Sequence, residues 1–142
     1  MAQYALAIQN MDGTVVGEYT VRSTAKAGFG GFMPAVDFLM KTCNVSLHAV
    51  RLLAVALGPG SFTGLRVGLS AAKGLSHGLD IPIIGVSSLE ALSAQIPLIR
   101  DPIAPVVRSR RGEVFTALFF WEEGGRLIRE GEDICLKLED LA

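Results

Sequence analysis

Apolar residues follow two spacings along the middle of the chain, and each spacing predicts one kind of element. Short continuous apolar runs at residues 52–57 and 81–86 are typical of strands buried on both faces. Between them, residues 62–79 have helical periodicity, with Ser61 or Thr63 as N-cap and Gly78 as the C′ residue. A strand, a helix and a strand in succession predict parallel strands joined by a right-handed crossover.

Alternating runs on either side of this central unit predict two β-hairpins. Residues 4–9 and 14–21 flank a turn in which the Asp12–Gly13 step tolerates positive φ, so Asp12 is interpreted as a turn residue rather than a catalytic acid. Residues 113–121 and 126–132 flank a second glycine-containing turn, and a helix is predicted from Lys137. With the hairpin ahead of the parallel strands, the expected fold class is α/β with a mixed sheet.

Two further helices are predicted, one on each side of the central unit. Residues 34–44 follow a loop at 23–32, with Pro34 in the first turn. One apolar stripe on this helix is formed by Val36, Leu39, Met40 and Cys43. The other helix ends near Gln95, and the Ser87–Glu90 spacing matches a capping box. The proline-rich segment 97–105 is expected to be a connection.

The turn before the central helix is a candidate anion site. Glycine amides and a helix N-terminus can hold a phosphate or carboxylate, although an empty tight turn explains the same residues. The candidate residues are Gly58, Gly60, Ser61 and Thr63. Leu65 follows Gly64 where a Walker A loop has lysine, and Thr63 stands where a dinucleotide fingerprint needs its third glycine. Neither of these motifs is therefore present.

Composition narrows the function further. The chain has 142 residues, of which half are apolar, with 13 basic and 14 acidic side chains and a net charge of −1. A general nucleic-acid binder normally has a basic excess, and the one basic cluster, Arg108, Arg110 and Arg111, is interpreted as a solvated turn. Two distant cysteines, no signal-peptide pattern and no apolar run of membrane length predict a cytoplasmic protein. Metal binding is not expected, because neither histidine has a partner at ligand spacing.

Three segments carry a family resemblance. GPGSFTGLRVGLSAAKGL at 58–75 and IPIIGVSSLEAL at 81–92 resemble the bacterial TsaB family, also called YeaZ, whose members are non-catalytic relatives of the tRNA threonylcarbamoyl transferase TsaD. VVRSRRGEVFTALFF at 106–120 resembles the family's strand-turn-strand, with Arg108 where aspartate is usual. The resemblance implies the ribonuclease-H-like, actin-like ATPase superfold, truncated at both ends. Residues 1–100 would form the first half without its opening strand, and 101–142 a linker and the start of an incomplete second half.

The resemblance also implies a role. The chain would be an assembly subunit without cofactor that pairs with TsaD and the ATPase TsaE to make N6-threonylcarbamoyladenosine, contacting tRNA only through the complex. In isolation it would form a homodimer. Small side chains on the central helix would let another backbone approach closely, either the sheet of the same domain or a helix of another subunit, at a cost of roughly 1 kcal/mol for each interior glycine. The expected interface residues are Val36, Leu39, Met40 and Cys43 on the first helix and Gly64, Leu65, Arg66, Gly68, Ala71, Ala72 and Leu75 on the central helix.

An enzymatic function is the alternative hypothesis. The glycine turn could serve an actin-like ATPase or a glycoprotease-type hydrolase with Ser61 as nucleophile. Against an ATPase function, the sequence lacks the usual first phosphate loop with its acidic residue. The hydrolase lacks an identifiable histidine and acid beside Ser61, because the positions of His48 and His77 relative to it do not follow from the sequence.

Overall fold

The computed structural model describes residues 2–23, 29–97, 99–110 and 112–140, so Arg111 of the arginine cluster and part of the predicted loop at 23–32 lie outside the described residues. These residues form seven strands and three α-helices. In chain order they are β1 (Ala2–Gln9), β2 (Val15–Ser23), α1 (Phe32–Thr42), β3 (Leu53–Gly58), α2 (Phe62–Leu79), β4 (Ile83–Ser87), α3 (Ser88–Ser93), β5 (Val106–Arg108), β6 (Glu113–Trp121) and β7 (Leu127–Lys137).

The strands form three hydrogen-bonded groups. β1 pairs with β2, β3 with β4, and β6 lies between β5 and β7. The β1–β2, β5–β6 and β6–β7 pairs are antiparallel. β3 and β4 run in the same direction, because the Leu53 N–H at the start of β3 donates to the Pro82 carbonyl just before β4, at 3.0 Å. Both predicted hairpins and the predicted parallel pair are therefore confirmed.

Contacts divide the chain into two compact units, of which the first comprises residues 1–54 and 66–84. In this unit α1 packs on the first hairpin. The ring of Tyr4 meets that of Phe32 edge-on, and the ring of Tyr19 lies tilted against that of Phe38, with centroids 5.4 Å apart in each pair. Leu39 is 6% exposed and lies close to the Gly17 backbone, so this residue of the α1 stripe belongs to the unit's own core.

The second unit comprises residues 55–65 and 85–142. Its core is formed by Leu89 of α3 with Ala117 and Phe119 of β6, together with Ile103. The backbones of Ile103 and Phe119 exchange two hydrogen bonds, of 2.7 and 2.9 Å. The segment 97–105 is thus more than the expected connection, because Ile103 adds a backbone bridge and a buried side chain. The predicted domain boundary at residue 100 stays a prediction.

The predicted burial of both central strands is wrong. Leu57 at the end of β3 is 59% exposed, and Ile84 in β4 is 47% exposed. Strands of a parallel sheet are buried when elements cover both faces. Among the described residues, β3 and β4 have only each other as hydrogen-bonded neighbours, which leaves part of their apolar surface accessible.

α2 spans residues 62–79 as predicted, but its C′ residue is not Gly78: the helix continues to Leu79, and the left-handed residue that follows is Asp80, with φ 51°. Aspartate tolerates this conformation, and the Ile81 N–H then donates to the Ser76 carbonyl at 3.1 Å to close the helix. Lys137 ends β7 instead of starting a helix, and one turn of 3-10 helix follows at Leu138–Asp140.

Candidate functional site

The glycine turn after β3 is built around one residue that must be glycine. Gly58 is buried and has φ +100°, a conformation that L side chains rarely adopt. A Cβ at this position would also lie 2.9 Å from Cδ1 of Leu65 in the first turn of α2. Gly60 is exposed and is not among the glycines with positive φ in the described residues. The turn therefore requires glycine at position 58 for both geometry and space.

Ser61 caps α2, as predicted. Its Oγ accepts a hydrogen bond from the Gly64 N–H at 3.4 Å, and its carbonyl accepts the first helical hydrogen bond from Leu65 at 2.9 Å. Thr63 lies inside the helix and is exposed. The hydroxyl of Ser61 therefore satisfies one of the N–H groups that an anion would use. Anion binding at Gly58, Gly60, Ser61 and Thr63 stays a prediction.

A shallow groove of about 370 Å³ opens beside Gly58, within the second unit. Its size falls in the range of small-molecule sites, roughly 300–1,000 Å³. It is lined by residues of β3, β4, β6 and β7 and by the glycine turn: Leu57, Gly58, Pro59, Ser87, Phe115, Arg129, Asp133 and Cys135. The groove combines apolar walls with a hydroxyl, a thiol and a paired arginine.

The arginine of this groove is fixed by a bulge in β7. Arg129 Nη2 donates to Asp133 Oδ1 at 2.7 Å, and Arg129 Nε donates to the Gly131 carbonyl at 3.0 Å. Between these residues the chain takes φ +73° at Gly131, and three residues of β7 lie opposite Ala117 of β6. Arg129 and Asp133 were not predicted as site residues from the sequence. An isolated glycine in a strand pattern was the available signal, because it often marks a bulge.

The predicted interface residues of α1 range from buried to half-buried. Leu39 and Cys43 face the first hairpin, where both side chains crowd the Gly17 backbone, and the Cys43 thiol lies 3.9 Å from the Val16 carbonyl. Direct contact of Leu39 with a partner is therefore opposed by its burial. Val36 and Met40 are half-buried, so part of each side chain remains accessible. Their role at an interface stays a prediction.

The predicted interface residues of α2, apart from Arg66, lie on its less exposed side. None of the 18 residues of the helix is buried. The half-buried members of the predicted set are Gly64, Leu65, Gly68, Ala71, Ala72 and Leu75, whereas Arg66 is exposed. The opposite side carries exposed polar residues at helical spacing, Ser70, Lys73 and His77. Arg66 lies at the start of this polar stripe, away from the half-buried residues, and its role at an interface stays a prediction.

In the part of the chain that the structure describes, no helix is both long and apolar enough to cross a membrane. Nor do three or more histidine, cysteine, aspartate or glutamate side chains group in a way that could hold a metal ion in those residues.

Comparisons with known proteins place the fold and the family. A family model described as "TsaD: tRNA N6-adenosine threonylcarbamoyltransferase" matches residues 22–141. The tRNA threonylcarbamoyladenosine biosynthesis protein TsaB of Bacillus subtilis is 39% identical over 124 residues, covering 87% of this chain and 54% of that protein. TsaB of Escherichia coli is 35% identical over 109 residues, covering 75% and 47%. The chain thus spans about half the length of the curated relatives it matches.

A solved structure gives an independent view of the architecture. YeaZ from Pseudomonas aeruginosa matches with a TM-score of 0.80 and 24% identity, over 99% of this chain and 64% of that one. The protein therefore has the α/β fold of the actin-like, ribonuclease-H-like class, as predicted. It belongs to the family described by the threonylcarbamoyltransferase model, and within that family it is a TsaB/YeaZ-family protein. The resemblance found in the sequence is confirmed.

Proposed function

We propose that this chain acts in the biosynthesis of tRNA threonylcarbamoyladenosine as a non-catalytic assembly subunit. The observation that carries the proposal is the 39% identity to the Bacillus subtilis biosynthesis protein TsaB, which extends over 87% of the chain. The partners in this proposal are a TsaD-like transferase and a TsaE-like ATPase. The complex works in the cytoplasm, and tRNA is contacted only through it.

The proposed docking element is the less exposed side of α2 around Gly68, Ala71 and Leu75. The choice of this side is supported by its partial burial, because its half-buried residues retain accessible apolar surface that a partner could cover. Because glycine and alanine side chains do not project far from the helix backbone, a partner helix could approach this side closely. The exposed polar stripe with Lys73 on the other side would remain in water. In isolation the same side of α2 would join two copies of the chain.

The test is co-elution with TsaD from the same organism, measured by size-exclusion chromatography with light scattering. Gly68→Leu places a bulky side chain on the docking side and is expected to abolish co-elution. Gly74→Leu is the matched control, because it makes the same change in the same helix where an added Cβ meets nothing within 4 Å. Circular dichroism checks that both variants remain helical. Co-elution of both variants would contradict docking through this side of α2.

The version of the hydrolase alternative in which His77 activates Ser61 is opposed by the geometry of α2. Ser61 precedes the first residue of the helix, and His77 lies in its last turn. At 1.5 Å per residue the two are roughly 24 Å apart along the helix axis, far beyond hydrogen-bond reach. His77 therefore cannot act as the base for Ser61. If the chain were nevertheless a hydrolase, Ser61→Ala would remove turnover and leave co-elution with TsaD unchanged, whereas a docking subunit has no turnover of its own to lose.

A further inference from the structure

We draw no further inference here: the strongest candidate, the apolar outer face of the β5–β6–β7 sheet at Val106, Leu118 and Ile134, is exposed in the described residues, and nothing in the structure shows what covers it.

Discussion

The first hairpin, β1–β2, and the second, β6–β7, both have glycine-containing turns, but they differ in how many of their side chains are buried. Glycine takes positive φ in both turns, at Gly13 in the first and at Gly124 and Gly125 in the second. Each hairpin also contains one break in register. Four residues of β6 are nevertheless buried, whereas no described side chain of β1 or β2 is.

The difference follows from what surrounds each hairpin. β6 has a strand on each side and α3 against one face, so its apolar side chains are enclosed from several directions. The first hairpin has two strands and α1 across one face. Two-stranded hairpins are marginal alone, and a third strand or a packed helix supplies the missing burial. Local turn chemistry therefore determines that a hairpin forms, and its neighbours determine how strongly it is held.

The largest expected effect is the loss of a core side chain from the second hairpin. Phe119 is 1% exposed and packs with Leu89, so Phe119→Ala should lower the free energy of unfolding by about 3–5 kcal/mol. Leu118→Ala is the control, because the neighbouring side chain points to the other face and is 44% exposed. The Leu118→Ala change should lower the free energy of unfolding by less than about 1 kcal/mol, since little apolar area is removed from a buried site. Urea unfolding measures both, and equal losses would contradict this account of the core.

The next largest effect on the free energy of unfolding is expected at the contact between the first hairpin and α1. A Cβ at Gly17 would collide with the Cys43 sulfur and lie 3.3 Å from Cδ1 of Leu39. Gly17→Ala is therefore expected to cost about 1–3 kcal/mol of unfolding free energy, as overpacking does. Cys43→Ala removes the nearer obstacle, so the double variant should be more stable than the sum of the single effects predicts. Additive effects of the two changes would show that α1 does not press on the hairpin at this point.

Most of the local structure was predictable because its signals are local. The Asp12–Gly13 turn, the Ser87 cap that accepts the Glu90 N–H, and the bounds of β6 depend on residues a few positions apart. Ile103 was missed because its bridge to Phe119 joins segments 16 residues apart, and no periodicity encodes such a contact.

The candidate site was less predictable for the same reason. The stripe on α1 identified Leu39 and Cys43 correctly as apolar positions, but a stripe does not say whether a hairpin or a partner covers it. The groove beside Gly58 draws on four strands that are distant in sequence. Its arginine is held by a bulge whose only trace in the sequence is Gly131.

A smaller effect is expected for the coupling free energies of two ion pairs, one in the second hairpin and one on α1. Arg129 and Asp133 hold the bulge of the second hairpin at 2.7 Å, with side chains 36% and 38% exposed. Because both groups are partly in water, a double-mutant cycle with alanine should give a coupling of about 0.2–1 kcal/mol. Lys41 and Asp37 on α1 are equally close but more exposed, and their coupling should be smaller. A larger coupling in the α1 pair would contradict the view that burial separates the two regions.

The smallest expected effect concerns pH and the turn of the first hairpin. The Thr14 N–H donates to Asp12 Oδ1 at 2.8 Å, and this hydrogen bond, with a second from the Thr14 side chain, lowers the pKa of Asp12 below its usual 3.8. A carboxyl whose pKa is lower in the folded state stabilises that state fully above its unfolded pKa. The contribution is lost as the pH falls through the folded pKa.

Asp12→Asn keeps an acceptor at the same position and removes the charge. Its urea midpoint should therefore lie slightly below that of the unmodified chain at pH 7, and the gap should narrow when both are measured near pH 3. Asp101→Asn, at an exposed position after α3, controls for the general loss of one negative charge. A gap that stays constant between the two pH values would mean that the turn is held by backbone geometry at Gly13, and that the carboxylate of Asp12 adds nothing to it.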